Sequence, residues 1–590
     1  MSLATAMIVC GCNDDAYLEE DPKTIFTMEN AFEKPAQVDD ALAMAYDRFN
    51  SLNGYGNGFV GGADGNFFHG DGSDVLDGTQ GQSSASGAFS NYWALTSTNG
   101  NFLNTWNALY RLGASANLAL YGAGQIESSE NPYLIAQARF FRGWAYLRLA
   151  EMFGGVPIVK EFDSSLKFDY GRASRKETYE FAIDDLKAAV ADLPEFPKQD
   201  GRLSRGLANH ILAEAYLAIG VETGDSSYYD LAVTAADDVI SKHPLMMERF
   251  GSRSEKGTQP SGVPDNGVER YRADGNVFYD LFQIGNYNYS EGNTESLGAR
   301  QTPSYEQSAS YGGGAMPLGI TIGPPYRDII WKVGSGIPGG GPWQQIDPTE
   351  YIGGGGTFYL GGLSWGMIST TNYVDEYIWR DQFADDIRND QINLCDPVVM
   401  NATSEYKGQR VKPEEVLEDP SRYSRISSKM AMQDLWGWDI QHSSMFGTPF
   451  TNQWLRDWYI ARSAETYLLR AEAKLRKGDK AGAAADINKL RERAHASYMY
   501  SADEIDIYTI LDERARELSW EEMRWPTLLR MGGNGKNEVM HHQLEKFSKH
   551  CFDDGVFAGK TFPEWTLFAI PFSVINLNKD NQLQQNPGWN

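Results

Sequence analysis

From residue 104 to about 249, apolar side chains recur every three or four positions, which is the period of an amphipathic helix. Trp106, Leu109, Gly113, Ala116 and Leu120 share one face. Leu134, Ala138, Phe141, Ala145, Leu149 and Met152 share another, and Gly154-Gly155 with Pro157 stops that helix. Ser174-Arg175-Lys176-Glu177 spells a capping box, in which the Ser side chain accepts from a free backbone N–H and the Glu reaches back. Behind it Tyr179, Ile183, Leu186, Val190 and Leu193 form a buried stripe that ends at Pro194. Two further helices are predicted at about 205–221 and 229–242, the second closed by His243-Pro244. Near the C-terminus the same period predicts helices at 464–477, 481–494 and 507–522. Small residues sit where paired helices would touch. Ala213, Tyr216, Ala232, Ala236 and Pro244, and again Ala471, Gly478, Ala484 and Leu490, fall close to tetratricopeptide spacing. The predicted fold is mostly α: a tetratricopeptide-like helical-repeat scaffold carrying long irregular loops rich in Gly and aromatics.

The pattern disappears between about 250 and 453. Gly312-Gly313-Gly314, Gly339-Gly340-Gly341 and Gly353 to Gly356 alternate there with Trp331, Trp343, Trp365, Trp379, Trp436, Trp438 and Trp454. Glycine in a helix interior costs about 1 kcal/mol, so such sequence does not sustain long helices. It predicts ordered loops of the kind that carry function on a rigid frame. Residues 54–101 read the same way.

Composition narrows the classes of function. The chain has 590 residues, 42% of them hydrophobic and 22% charged, with a formal charge of −27. Those proportions are globular, and the charge excludes a generally basic nucleic-acid surface. The four cysteines, Cys10, Cys12, Cys395 and Cys551, do not build a disulfide scaffold or show zinc spacing. No apolar run approaches the ~18 residues of a membrane span. A short apolar run, Leu3 to Val9, precedes Cys10-Gly11-Cys12 and then Asn13-Asp14-Asp15. That order resembles a bacterial lipoprotein signal cut after Gly11, with Cys12 carrying the lipid, which anchors a protein to a membrane without spanning it.

Tests for catalytic motifs come out weak. Gly334-Ser335-Gly336-Ile337-Pro338-Gly339 matches the dinucleotide spacing, but Pro338 and more glycines follow where a helix must begin. Gly362-Leu363-Ser364-Trp365-Gly366 matches a nucleophile elbow, yet no β-α-β alternation surrounds it. A serine hydrolase at Ser364 is therefore a remote alternative. On a helix, Asp381 would face Asp385 and Asp386 would face Asp390, a solvated face balanced by Arg388. Asp71, Asp74 and Asp77 lack the spacing of a calcium loop, so a structural Ca²⁺ has no support and no cofactor is expected.

Loop aromatics mixed with Asp, Asn, Gln and Arg suit sugar. Rings stack on the apolar C–H face, and carboxylates, amides and guanidinium groups bond the hydroxyls. Trp93 ahead of the first predicted helix, Asp64 and Asn66 beside Phe67-Phe68, and Arg388, Trp343 and Trp365 in the middle loops are the candidates. The competing role for each such Trp is a core plug.

Several stretches together resemble one family, the SusD/RagB-like outer-membrane nutrient-binding lipoproteins of Bacteroidetes. They are Trp106-Asn107-Ala108-Leu109-Tyr110 with Ala116-Asn117, and Ala138-Arg139-Phe140-Phe141-Arg142-Gly143-Trp144-Ala145-Tyr146 running to Phe153-Gly154-Gly155-Val156-Pro157. Glu465 to Ala473, Glu513-Arg514, Glu517-Leu518, Arg524-Trp525, Arg530, Ile570-Pro571 and Gln585-Asn586-Pro587-Gly588-Trp589 complete the set. Glu522 and Thr527 depart from it, standing where Gly and Asp are usual. The resemblance implies a signal over residues 1–12 and one SusD-like domain over 13–590. Its helical blocks would lie at about 104–249 and 459–530, and its ligand loops at about 54–101 and 250–453. It further implies a non-enzymatic protein, lipid-anchored at the outer membrane and facing the exterior. Such a protein captures oligo- or polysaccharide, or in some members peptide, and acts as the lid of a SusC-like TonB-dependent transporter. Trp93 is the position that the resemblance itself places in a ligand site, whereas the Arg, Glu and Trp motifs are structural in the family.

Overall fold

A computed structural model describes residues 31–53, 72–77, 95–163, 165–251, 253–257, 271–301, 369–395, 425–430, 457–533, 535–551 and 564–589. Helix α1 (Pro35–Leu52) precedes the predicted block, with Val38, Leu42, Ala45 and Phe49 on its buried side. The block itself is α2 (Gly100–Gln125), α3 (Asn131–Phe153), α4 (Arg175–Asp192), α5 (Arg205–Thr223) and α6 (Ser227–Lys242). Each packs on the next.

Helix α3 is the centre of this stack. From Phe140 to Phe153 it is buried on every side, Arg142, Arg148 and Glu151 included, because α1, α2, α4 and the segment Arg524–Gly532 surround it. Its polar residues stay buried by pairing: Arg142 bonds Asp185 of α4 at 2.6 and 2.9 Å, and Arg148 bonds Glu214 of α5 at 2.6 and 3.0 Å. The helix ends where Gly154 adopts φ 77°, a backbone that side chains with a Cβ resist. Gly155 follows, its α-carbon so close to the Ala173 carbonyl that a Cβ would lie 2.0 Å from the oxygen. The predicted capping box opens α4 as expected, Ser174 Oγ accepting from the Glu177 N–H at 3.1 Å. Of the predicted α4 stripe, Tyr179, Ile183, Leu186 and Leu193 are buried and Val190 is half-buried.

The second block comprises α9 (Ser463–Arg476), α10 (Lys480–Arg493), α11 (Ile507–Leu518), α12 (Arg524–Gly532), α13 (Glu538–Cys551) and α14 (Phe572–Leu577). The two blocks are one array. Helix α9 packs on α6 and α5, and α12 packs on α3 and α5. His210 Nδ1 of α5 lies 2.9 Å from Thr466 Oγ1 of α9, and Arg470 of α9 pairs with Asp237 of α6 at 2.6 Å. The chain between 243 and 457 is thus an excursion from a continuous helical layer.

The helix expected over 507–522 ends early, at Leu518, and α12 begins beyond it at Arg524. The Leu518 carbonyl accepts from both the Glu521 and Glu522 N–H groups, and Trp520 turns the chain with φ 70°. Glu522, which departs from the family pattern, bonds Arg514 at 2.6 Å and Arg524 at 3.0 Å across that turn.

The described middle region contains two short helices, α7 (Val277–Leu281) and α8 (Asn372–Asp375), and six short strands form three antiparallel pairs. Strand β1 (Leu76–Asp77) pairs with β3 (Ser369–Thr370), β2 (Ser296–Arg300) with β6 (Trp458–Arg462), and β4 (Leu394–Cys395) with β5 (Ile426–Ser427). Through β6, which leads directly into α9, the excursion is tied back to the helical layer.

Candidate functional site

Of the candidate sugar contacts, Trp93, Asp64, Asn66, Trp343 and Trp365 lie outside the described residues, as do Cys12 and Ser364. Arg388 is described, and it is not a surface group. Its side chain is fully buried, with Nε and Nη2 on Asp386 at 2.9 and 2.6 Å, Nη2 on Glu513 at 2.7 Å and Nη1 on Glu517 at 2.9 Å. Three carboxylates take four of its five N–H donors, and full burial keeps the guanidinium out of reach of a sugar hydroxyl. The expected helix over 381–390 is also absent. Two 3-10 turns, Asp381–Phe383 and Ile387–Asn389, take its place. Asp381, Asp385 and Asp390 are solvated as expected, whereas Asp386 is buried as the counterion of Arg388.

Arg388 belongs to a buried ionic frame at the roots of the middle loops. Arg462, at the end of β6, contacts Glu295, Glu517 and Glu521. Arg493 of α10 reaches Glu295 at 3.2 Å and also contacts Glu517. Lys429 donates to Glu521 at 2.6 Å and to the Glu517 and Ser519 carbonyls at 2.6 and 3.0 Å. On the other flank Arg524 grips Asp74 through two bonds of 2.9 and 2.5 Å, so this Asp is a counterion rather than a free carboxylate. The segments at 72–77, 295–300, 386–388 and 429 are therefore all clamped to α10, α11, α12 and the turn between the last two.

The protonation of the frame follows from its pairing. Burial pushes the Glu513 carboxyl up, but Arg388, Arg516 and Arg491 together outweigh it and hold it down to about 2. Lys429 is lowered to about 8 by burial, against the pull of Glu521 and Glu517. Asp375 goes the other way. Burial lifts it to about 7, and bonds from the Thr370 hydroxyl and the Arg425 N–H only partly offset that.

Among the described residues no group of His, Cys, Asp and Glu is arranged to hold a metal ion, and no helix is long and apolar enough to cross a membrane. Trp379 fills the role of core plug: it is buried, and its indole N–H donates to the Val374 carbonyl at 2.8 Å.

A concavity within the described residues lies elsewhere, where the stretch after α3 and helix α14 meet α2. Sequence reading did not single it out, although Phe168 and Tyr170, standing among charged residues with no helical period, are its signal.

Two family models match the chain at its two helical ends. Residues 16–217 match one described as "Starch-binding associating with outer membrane", and residues 449–589 match the SusD family. Among curated proteins, "SusD-like protein P2" of Formosa agariphila is 29% identical over 259 residues, 43% of this chain. The chain spans about half, 47%, of that relative's length. Among solved structures, a SusD homolog from Bacteroides thetaiotaomicron superposes with a TM-score of 0.63 at 18% identity, covering 96% of this chain and all (100%) of that one. Surface glycan-binding protein A from Bacteroides fluxus gives 0.61 at 18% identity, with 94% and 100% covered. A laminarin-binding SusD-like protein gives 0.57 at 20%, with 95% and 100% covered. The chain belongs to the SusD/RagB-like family.

Proposed function

We propose that this protein is a cell-surface glycan-binding lipoprotein. In this reading Cys12 carries the lipid that holds it to the outer membrane facing outward. It captures oligo- or polysaccharide and passes it to a SusC-like TonB-dependent transporter, over which it acts as a lid. The observation that carries the reading is the match of residues 16–217 to a family described as starch-binding and associated with the outer membrane. The clamped loop roots support it, since a binding surface built from Gly-rich loops needs a rigid base. With Arg388 consumed by the frame, Trp93, Trp343 and Trp365 supply the stacking faces and Asp64 and Asn66 the polar contacts. No chemical step is assigned to the protein.

The test is isothermal titration of the chain lacking residues 1–12 against starch, laminarin, a wider polysaccharide panel and peptide digests, with Trp93→Ala alongside. Binding to one glycan, weakened roughly tenfold or more in the variant, is expected from the loss of one stacked ring. Heat from peptides alone would overturn the glycan reading.

A further inference from the structure

After α3 the chain runs back along α2 and is fastened there. The Tyr110 hydroxyl donates to the Pro157 carbonyl at 2.7 Å, and Asn117 Nδ2 donates to the Val159 and Glu161 carbonyls at 3.0 and 3.2 Å. The stretch then returns through Phe168 and Tyr170, where α14 and its following turn hold it. Asn578 accepts from the Tyr170 N–H at 2.9 Å and donates to the Tyr170 carbonyl at 2.8 Å, and the Asp580 N–H bonds the Phe168 carbonyl at 3.0 Å. Between these walls is a cavity of about 330 Å³. That volume falls within the ~300–1,000 Å³ of small-ligand clefts, and the walls are fixed by hydrogen bonds before any ligand arrives.

The lining has two characters. Trp106 and Tyr110 make an aromatic floor, their rings 5.0 Å apart and tilted by 34°. Phe168, Tyr170 and Leu577 form the lip. Phe168 is 37% exposed and Leu577 66%, a large apolar outlay for a surface that no described residue covers. Polar groups sit only at the edge. Lys167 Nζ lies 5.2 Å from the Tyr170 ring centre, and Lys579 Nζ lies 5.4 Å from that of Phe168. The Tyr170 hydroxyl makes no hydrogen bond to a described residue, while the Asn578 amide is spent on holding the walls together.

An apolar floor with flat rings and donors confined to the rim matches the two-sided chemistry of a pyranose, whose C–H face is apolar and whose edge is hydroxyl. It suits an extended peptide less well. A peptide strand is held through main-chain bonds, and the Val156 and Phe168 carbonyls and both backbone groups of Val159 and Tyr170 are already paired within the walls. Position adds a further argument. Helix α14 starts with the Phe572 N–H donating to the Ser97 carbonyl at 2.9 Å, and Ser97 stands four residues along the chain from Trp93.

We propose that this cleft is a second carbohydrate subsite, stacking one sugar ring of a longer chain against Phe168 and Tyr170 with its hydroxyls turned to Lys167 and the Tyr170 hydroxyl. The inference rests on the glycan reading above and adds a second point of attachment to it, so affinity rises with chain length through effective concentration.

The experiment titrates starch, laminarin, their oligosaccharides from two to eight units and peptide digests into the signal-free chain and into Phe168→Ala, Tyr170→Phe, Trp93→Ala and the Phe168→Ala/Trp93→Ala double variant. Circular dichroism confirms the fold of each. Phe168→Ala is expected to weaken the polymer roughly tenfold and the disaccharide little, Tyr170→Phe to weaken the polymer by roughly threefold, and the double variant to lose what binding Trp93→Ala retains. Polymer binding by the unaltered chain that is the same in Phe168→Ala and Tyr170→Phe overturns this proposal and leaves the glycan reading standing. Silence of the unaltered chain towards every glycan removes both. Loss of peptide binding rather than glycan binding in Phe168→Ala would make the cleft a peptide site and overturn the proposal by itself.

Discussion

The helical layer and the roots of the middle loops are held by different physics. In α2 to α6 the contacts are apolar and small: Ala213, Ala235 and Ala236 let α5 and α6 approach, and Leu147, Leu149 and Ala150 of α3 are wholly buried. The buried ion pairs there join one helix to another, as from Arg142 to Asp185, or lie within a helix, as from Arg148 to Glu151. The described middle segments have little aliphatic surface to offer. Val75, Leu76, Tyr373, Val374, Ile378, Trp379 and Leu394 make only a small core with Trp458, Ala515 and Trp520. Buried Arg, Lys and carboxylates complete it. Apolar packing is non-directional and tolerates adjustment, whereas a charge-assisted hydrogen bond fixes distance and angle. Loops that lack a hydrophobic face but must hold a defined position are well served by the second kind.

That contrast breaks most sharply at Arg388. Removing it leaves Asp386, Glu513 and Glu517 buried around an empty space, and breaking a buried pair in this way costs about 3–5 kcal/mol. Arg388→Ala is expected to lose stability of that order in urea unfolding. Near-ultraviolet tryptophan signals should change first, and far-ultraviolet helix signal should persist to higher denaturant. A single transition in which both signals are lost together would mean that the frame and the helical layer are one cooperative unit. A loss below ~1 kcal/mol would show that the frame does not anchor the loops.

The same contrast explains what could be read beforehand. Helices α2 to α6, α9 and α10 were legible because a helix that packs on helices must repeat its apolar residues at the helical period. Helix α1 follows the same rule through Val38, Ala41, Leu42, Ala45 and Phe49, so its period too is present in the sequence. Arg388 was misassigned because local charge density resembles a solvated face. Its partners Glu513 and Glu517 stand 125 and 129 residues away, and no local pattern announces a pairing of that range. The break after Leu518 was hidden for the same reason. Glu521 and Glu522 are good helix formers in isolation, and their ties to Arg462, Lys429, Arg514 and Arg524 are what turn the chain. The aromatic cleft is assembled from α2, a return loop and α14, three pieces that are separately unremarkable in sequence.

Asp375 offers a gentler probe, one of sign rather than of collapse. Its carboxyl, 3.8 when free and about 7 in the fold, binds a proton in the folded state across that window while the unfolded chain does not. Stability contributed through this group is therefore greatest below pH 4 and declines as pH rises towards 7. Burial causes the shift, with Glu376 adding to it and Thr370 and Arg425 opposing it. Asp375→Asn removes the titration and keeps an acceptor for Thr370 and Arg425. The variant is expected to gain on the order of 2 kcal/mol relative to the parent at pH 8 and little at pH 4. Equal differences at both values would mean that Asp375 is charged throughout.

The smallest effect tests the helical side of the comparison. Ser174 caps α4 at the surface, accepting from the Glu177 N–H while Glu177 accepts from the Ser174 N–H at 2.8 Å. Bonds to the Ser174 hydroxyl and N–H hold the Glu177 carboxyl below its usual range. Ser174→Ala is expected to cost about 1 kcal/mol in urea unfolding. The loss should stay local, because α4 is also secured by Tyr179, Leu186 and Leu193 against its neighbours. In an apolar stack a lost cap frays one end while the rest keeps its packing; in the ionic frame a lost charge exposes every partner at once. If Ser174→Ala lowers cooperativity as much as Arg388→Ala does, that difference between the two regions does not exist.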